Sequence, residues 1–115
     1  MGVDQNITDG LVQELRRGTL VLSVLSQLKK PQYGYSLVQC LAEKGLNIEQ
    51  NTLYPLLRRL EKQDLLKSDW ELKGTRPRRY YQLNKNGIEV LKELTSEWNR
   101  LANVVKKLTL QQEEK

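Results

Sequence analysis

Apolar residues recur at helical spacing in four stretches of the chain. From Leu11 to Leu28 they fall on more than one face of a helix. Two helices with one apolar stripe each are predicted at about 35–44, ending before Gly45, and at about 51–63. A last helix starts near Asn84. Its apolar residues are three and four positions apart, as in a coiled-coil seam, and they are Leu91, Leu94, Trp98, Leu101, Val105 and Leu108.

Two stretches of strand-forming residues separate the third helix from the last one. They read "LLKSDWEL" and "RRYYQL", and the turn "KGTRP" between them predicts a hairpin. The predicted fold is mainly α with a small β-hairpin, a winged helix-turn-helix followed by a long C-terminal dimerisation helix. We expect a flexible N-terminus over 1–9, the winged helix-turn-helix domain over 10–83, the dimerisation helix over 84–110 and a solvated tail over 111–115.

A proline lies near the start of the third predicted helix. Gln50, Asn51 or Thr52 could begin this helix, and with Thr52 as the N-cap Pro55 becomes the third helical residue. The amide at that position has no partner within the helix, so a proline costs little there. The pattern therefore predicts Pro55 in the first turn. Asn84 is the predicted N-cap of the last helix.

Positive charge is concentrated in the third helix and the hairpin. The chain of 115 residues has a net charge of +5. Residues 51–80 hold eight Lys or Arg against four Asp or Glu, and the rest hold eleven against ten. This favours an anionic partner. A membrane-surface protein would instead place its basic residues along an amphipathic helix. A winged helix that only binds other proteins is the alternative to a DNA-binding one.

The side chains expected at double-stranded DNA lie on the outer face of the third helix, on the hairpin or beside them. Asn, Thr, Tyr and Arg suit base edges and phosphates. Neighbouring helical residues differ in direction by about 100°, so we expect only one of the two adjacent arginines to point at the bases. Arg79 could pair with an acidic residue instead of contacting DNA. The expected contacts are Tyr35, Asn51, Thr52, Tyr54, Pro55, Arg58, Arg59, Lys62, Lys73, Arg76 and Arg78.

Several kinds of chemistry lack their residues in this sequence. There is no histidine and one cysteine, Cys40, which excludes a Cys/His zinc site and a histidine-activated nucleophile. We therefore predict no metal, no cofactor and no enzymatic activity, and we expect Cys40 to be a small core residue. The polar start of the chain and the lack of a long apolar run predict a cytoplasmic protein without a membrane span.

Several motifs together resemble the PadR family of bacterial transcriptional regulators. They are "LRRGTL", "YGYSL", "NTLYPLLRRLEKQDLL", "RPRRYYQLNKNG" and the tryptophan of the last helix. The chain is similar to the compact subfamily with a single C-terminal helix. The resemblance implies a winged helix-turn-helix homodimer that represses transcription at an inverted-repeat operator. It also implies that Asn51 to Gln63 is the DNA-reading helix and that Leu72 to Tyr81 is the wing.

Trp98 has two interpretations. It could be a large anchor in a dimer core. The resemblance to drug-sensing members of the family implies instead a platform between subunits for planar hydrophobic aromatic molecules. In that case the first predicted helix would supply the second wall, and the ligand-binding residues would be Leu11, Leu15, Leu94, Trp98 and Leu101. Trp70, beside the first wing strand, is expected to be a packing residue.

Overall fold

The computed structural model describes the backbone of residues 2–113 and the side chains of residues 2–110. The side chains of the tail expected over 111–115 therefore lie outside the described residues. The described part of the chain forms five helices and three strands. In chain order they are α1 (Gln5–Arg17), α2 (Leu20–Ser26), β1 (Gln32–Tyr33), α3 (Gly34–Glu43), α4 (Gln50–Lys62), β2 (Leu66–Glu71), β3 (Arg78–Leu83) and α5 (Lys85–Glu113).

The first helical stretch consists of two helices. Helix α1 begins at Gln5, six residues before the predicted start, because the Asp4 carboxylate caps it by accepting from the backbone N–H of Asn6 at 2.9 Å. It ends at Gly18, and the Thr19 hydroxyl donates to the Arg16 carbonyl at 2.9 Å. Glycine and a back-bonded threonine both weaken a helix. The prediction of one helix from 11 to 28 was therefore wrong.

Helix α3 ends as its sequence predicts. Gly45 has a φ of 100°, in the left-handed region that favours glycine. Its N–H donates to the Ala42 carbonyl at 3.0 Å, and the N–H of Leu46 donates to the Leu41 carbonyl at 2.8 Å. These two bonds form a Schellman motif. The half-buried Leu46 side chain then packs against the core, which fixes the path of the chain towards α4.

Pro55 lies one turn deeper in its helix than predicted. Helix α4 begins at Gln50, with Glu49 as an extended N-cap whose side chain makes no capping bond. Pro55 is therefore the sixth helical residue, and the first-turn prediction was wrong. Because proline has no N–H, the Asn51 carbonyl lacks its usual donor four residues later. The first intrahelical bond joins the N–H of Leu53 to the Glu49 carbonyl at 3.0 Å, and Leu53 is already fully buried.

The predicted hairpin is confirmed, and a short third strand extends it. The sheet order is β1-β3-β2, all antiparallel, with Leu66 opposite Leu83 and Glu71 opposite Arg78 at the two ends of the hairpin. Strand β1 pairs Tyr33 with Tyr80. Side chains alternate between the faces of a sheet, so Leu66, Tyr81 and Leu83 enter the core together.

A core of leucines holds α4 against the other elements. The backbone N–H of Leu83 donates to the Leu28 carbonyl at 2.8 Å and joins the end of α2 to the sheet. Burying these side chains on one side of α4 leaves its other side in solvent. The buried apolar residues are Val24, Leu25, Leu28, Leu37, Leu41, Leu53, Leu56, Leu57, Leu60, Leu66, Tyr81, Leu83 and Leu91.

Helix α5 begins where predicted and extends away from this core. The Asn84 side-chain oxygen accepts from the N–H of Gly87 at 2.8 Å, so the predicted N-cap is confirmed. Leu91 is buried and Leu94 is half-buried, but the seam is exposed from Trp98 onwards. Among the described residues, no helix combines the length and apolar character that crossing a bilayer requires.

Candidate nucleic-acid interface

The solvent face of α4 lies directly opposite its buried leucines. Each helical residue turns the side-chain direction by about 100°, so the outward direction is shared by a set of residues three and four apart. All of them are exposed, and the set is Asn51, Pro55, Arg58 and Lys62. It combines an amide, an apolar ring and two cations without an acid. Such a face can donate hydrogen bonds to base edges and phosphates.

Two predicted DNA contacts lie on one flank of this face and one on the other. Thr52 and Arg59 are exposed on the flank away from the sheet. Tyr54 lies on the sheet side and is half-buried, because its ring packs on the start of α3. A Cβ at Gly34 would lie only 2.1 Å from Cε1 of Tyr54, so glycine permits this close approach. The outer-face position predicted for Tyr54 was therefore only partly right.

The basic residues of α4 are not neutralised by acids within the described part of the chain. Arg58, Arg59 and Lys62 take no part in the salt bridges found there. The acid of this helix, Glu61, turns towards the sheet and pairs with Arg79 at 3.0 Å. An ion pair leaves little net charge, whereas these three cations keep theirs. The α4 surface is consequently positive.

Arg79 joins the wing to α4, as one of its predicted alternatives requires. Its guanidinium donates to the Glu61 carboxylate at 3.0 Å and to the Ser68 hydroxyl at 2.8 Å. The same guanidinium lies 5.7 Å from the ring centroid of Trp70. Trp70 is 52% exposed, so it supports Arg79 from one side but is not the packing residue predicted.

The wing tip projects beyond the sheet and carries the remaining predicted cations. Lys73 and Arg76 lie in the exposed turn between β2 and β3, and Gly74 there has a φ of 89°. Arg78 is the first residue of β3 and is also exposed. Among the described residues Arg79 is in a salt bridge and these three cations are in none, so the wing tip, like α4, carries positive charge.

An aromatic cluster at the wing was not predicted from the sequence. The rings of Tyr33 and Tyr35 stack with centroids 5.9 Å apart, and the Arg78 guanidinium lies 4.6 Å from the Tyr33 centroid. Arg78 also donates to the Tyr35 hydroxyl at 2.8 Å. The Tyr33 hydroxyl donates to the Glu71 carboxylate. Tyr35 was among the predicted DNA contacts, whereas Tyr33 and Glu71 were missed.

The structure explains why these two residues escaped prediction. Glu71 has a local signal, since a hairpin places its strand ends opposite one another, but the predicted turn at 73–77 puts Leu72 and not Glu71 opposite Arg78. Tyr33 carries no such local signal. It reaches Glu71 only because the two-residue strand β1 pairs with the far side of β3.

The residues predicted around Trp98 are not brought together within a single chain. Helix α1 has no buried residue, and Leu11 and Leu15 are 61% and 77% exposed. Trp98 and Leu101 are 46% and 43% exposed on α5. A separate groove of about 750 Å³ lies between the end of α2 and α5. Its lining includes none of the predicted ligand residues, and it consists of Ser26, Lys29, Leu83, Ile88, Leu91, Lys92, Thr95, Ser96 and Asn99.

The side chains that could bind a metal are dispersed. Among the described residues there is no group of three or more Cys, Asp or Glu side chains in an arrangement that could hold an ion. Cys40 is half-buried rather than fully in the core, with its thiol 3.2 Å from the side-chain oxygen of Gln27.

The sequence of this chain matches a known protein family. Residues 21–93 match the sequence profile of the Transcriptional regulator PadR-like family. This segment runs from α2 to the first turns of α5. It therefore contains α4 and the wing.

Solved structures share the fold over most of the chain. A PadR family transcriptional regulator from Eggerthella lenta DSM 2243 is 52% identical, with a TM-score of 0.87 over 91% of this chain and 94% of that one. A PadR-like transcription factor from Bacteroides fragilis is 36% identical, with a TM-score of 0.72 over 86% and 98%. Bacillus subtilis PadR, solved in complex with operator DNA, is 21% identical, with a TM-score of 0.62 over 67% and 45%, a likeness of fold alone.

Proposed function

The chain belongs to the PadR-like family of transcriptional regulators, and on that premise we propose that it is a homodimeric repressor of an inverted-repeat operator. It is a regulator and not an enzyme. The observation that carries the proposal is the acid-free outer face of α4, with Asn51, Pro55, Arg58 and Lys62 opposite a fully buried leucine stripe. Because its target is DNA, we place the protein in the cytoplasm.

In the proposed complex α4 enters the major groove and the wing follows the adjacent backbone. Arg58 lies about 20° from Asn51 around the helix and Arg59 about 80°. We therefore assign Arg58 to the base edges at the floor of the groove and Arg59 to a phosphate at its wall. Lys73, Arg76 and Arg78 neutralise phosphates at the wing, which makes the affinity depend on salt.

Selection from a random library tests the proposal without knowledge of the operator. Duplexes with about 30 random base pairs are incubated with the full chain at moderate salt, and bound molecules are amplified and sequenced. We expect an inverted repeat whose half-site centres are about one turn, or 34–36 Å, apart. Enrichment of no sequence would overturn sequence-specific binding and would favour a winged helix that binds proteins.

Single arginine substitutions test the roles given to α4. Arg58→Ala should lower affinity for the selected duplex by about 1–3 kcal/mol and relax the preference at one base pair of each half-site. Arg59→Ala should lower affinity for all sequences and reduce the salt dependence by about one phosphate contact per protomer. The control is Arg100→Ala on α5, where Arg100 pairs with Glu97 at 2.6 Å. Unchanged binding by both α4 variants would exclude α4 as the DNA-reading helix.

We further propose that the apolar surfaces of α1 and α5 build the dimer and a site for planar hydrophobic aromatic molecules. Trp98 would stack on the ligand, between Leu94 and Leu101 of α5 and Leu11 and Leu15 of α1. These side chains are half-buried or exposed in one chain, and they need a second subunit to enclose them. A ligand there would change the separation of the two α4 helices and so shift the dimer away from its DNA-binding state.

Tryptophan fluorescence tests this site. The Trp70→Phe variant leaves Trp98 as the only fluorescent indole, and acridine, phenazine and flavone serve as planar probes without DNA present. We expect saturable quenching and weaker binding of the selected duplex by the loaded protein. If no probe quenches Trp98 in a saturable manner, Trp98 is a structural anchor of the dimer.

A further inference from the structure

The last paired residues of the β2–β3 hairpin have opposite charges but form no salt bridge with each other. Glu71 and Arg78 are Cα partners at the end of the β2–β3 ladder. Opposite charges in this arrangement usually interact, because cross-strand side chains lie on the same face. Within the described residues, however, Arg78 takes part in no salt bridge. The salt bridge that the register predicts between Glu71 and Arg78 does not form, and both side chains contact Tyr33.

Tyr33 supplies the contacts that replace this salt bridge. Its hydroxyl donates to the Glu71 carboxylate, while its ring lies under the Arg78 guanidinium with 4.6 Å between centroid and Cζ. The hydrogen bond to Glu71 also raises the pKa of the Tyr33 hydroxyl, and a tyrosine hydroxyl is in any case a donor at neutral pH. Tyr33 thus binds the Glu71 carboxylate with its hydroxyl and makes a cation–π contact with the Arg78 guanidinium through its ring.

The neighbouring tyrosines fix this arrangement. Tyr35 stacks on Tyr33 with 7° between the ring planes and accepts a hydrogen bond from Arg78 at 2.8 Å. Tyr80, the strand partner of Tyr33, contacts the same ring edge-on at 6.2 Å. A guanidinium has five N–H donors, and the bond to Tyr35 uses one of them. Arg78 is exposed, so the remaining donors face solvent.

We infer that Tyr33 is a positioning residue of the wing, which holds the Glu71 carboxylate away from Arg78 and thereby keeps Arg78 available to a DNA phosphate. The inference rests on the DNA-binding function proposed above. Without the Tyr33 hydroxyl, Glu71 would be free to pair with the cation opposite it. That pairing would compete directly with the phosphate for the same guanidinium.

A double-substitution cycle tests the inference on the full chain. Tyr33→Phe removes only the hydroxyl and keeps the ring under Arg78. We expect it to weaken DNA binding by about two- to fivefold per wing, the range of a cross-strand charge pair. The slope of log affinity against log salt should fall by up to about 0.9 per wing. Adding Glu71→Gln to Tyr33→Phe should restore both quantities, whereas Glu71→Gln alone should change them little.

Binding is measured by fluorescence anisotropy with the selected duplex and with a mixed-sequence duplex of equal length. The Arg78→Ala variant gives the DNA affinity without the Arg78 contact to phosphate, and adding Tyr33→Phe to it should lower the affinity no further. Far-UV circular dichroism and the melting temperature confirm that each variant folds. A loss in Tyr33→Phe that Glu71→Gln does not rescue, or no loss at all, would overturn the inference alone. Absence of salt-dependent binding by the unaltered protein would overturn the proposed function and this inference together.

Discussion

At the scale of single residues, the junction between α4 and α5 depends on an unusual backbone position. Asp64 has a φ of 63°, left-handed without being glycine. Its carbonyl oxygen accepts from the Asn84 side chain at 2.9 Å, and its carboxylate accepts from the Asn86 side chain at 2.9 Å. Two amides from the start of α5 therefore hold the end of α4.

Gly87 allows this junction to close, and its substitution is a strong test of it. A Cβ on Gly87 would lie 2.1 Å from the carbonyl oxygen of Leu65, a backbone atom that cannot rotate away. We expect Gly87→Ala to lower the free energy of unfolding by about 1–3 kcal/mol or more, as overpacking does. The measurement is urea unfolding at fixed protein concentration. Gly10→Ala, in an open part of α1, should raise stability by about 0.5–1 kcal/mol. Equal stability of Gly87→Ala and the unaltered chain would show that the junction can yield.

At the scale of elements, the features that could be predicted are the ones that neighbouring residues determine. The leucine stripe of α4, the cap at Asn84 and the end of α3 at Gly45 all follow from local spacing and caps. Strand β1 could not be predicted, because two residues have no periodicity and their pairing comes from β3. For the same reason the α4 and wing cations were found in the sequence, but the tyrosine that separates Glu71 from Arg78 was not.

The position of Pro55 within α4 leads to a prediction about the stability of this element. At the sixth position of α4 the proline removes a backbone hydrogen bond and crowds the Asn51 carbonyl. Its side chain is exposed, so little burial compensates. Pro55→Ala should therefore raise the free energy of unfolding by about 1–3 kcal/mol, while weakening binding to the selected duplex. Pro31→Ala, outside the helices, is the control and should lower stability by less than about 1 kcal/mol. A Pro55→Ala chain less stable than the original would show that α4 requires the proline ring.

At the scale of the whole molecule, a single chain is more extended than a compact domain of the same number of residues. Its radius of gyration is 17.5 Å, whereas a compact domain of this size has about 13 Å. The extra length comes with exposed apolar side chains on two helices, including Leu15 of α1 at 77% and Leu108 of α5 at 58%. Surfaces of this kind mark association sites. They support the proposed homodimer, in which α1 and α5 of two chains cover one another.

One substitution on α5 tests that dimer against a matched control. Leu101 belongs to the exposed seam, so Leu101→Asp would bury an unpaired carboxylate in the proposed interface. An unpaired buried charge costs several kcal/mol, and we expect a monomer by sedimentation equilibrium at micromolar concentration. Asn103→Asp adds the same charge two residues later, at an exposed position outside the seam, and should leave the dimer intact. Since an inverted-repeat operator needs two α4 helices at once, Leu101→Asp should also lose the selected duplex while its helix content stays unchanged. A Leu101→Asp chain that stays dimeric would exclude the seam as the interface.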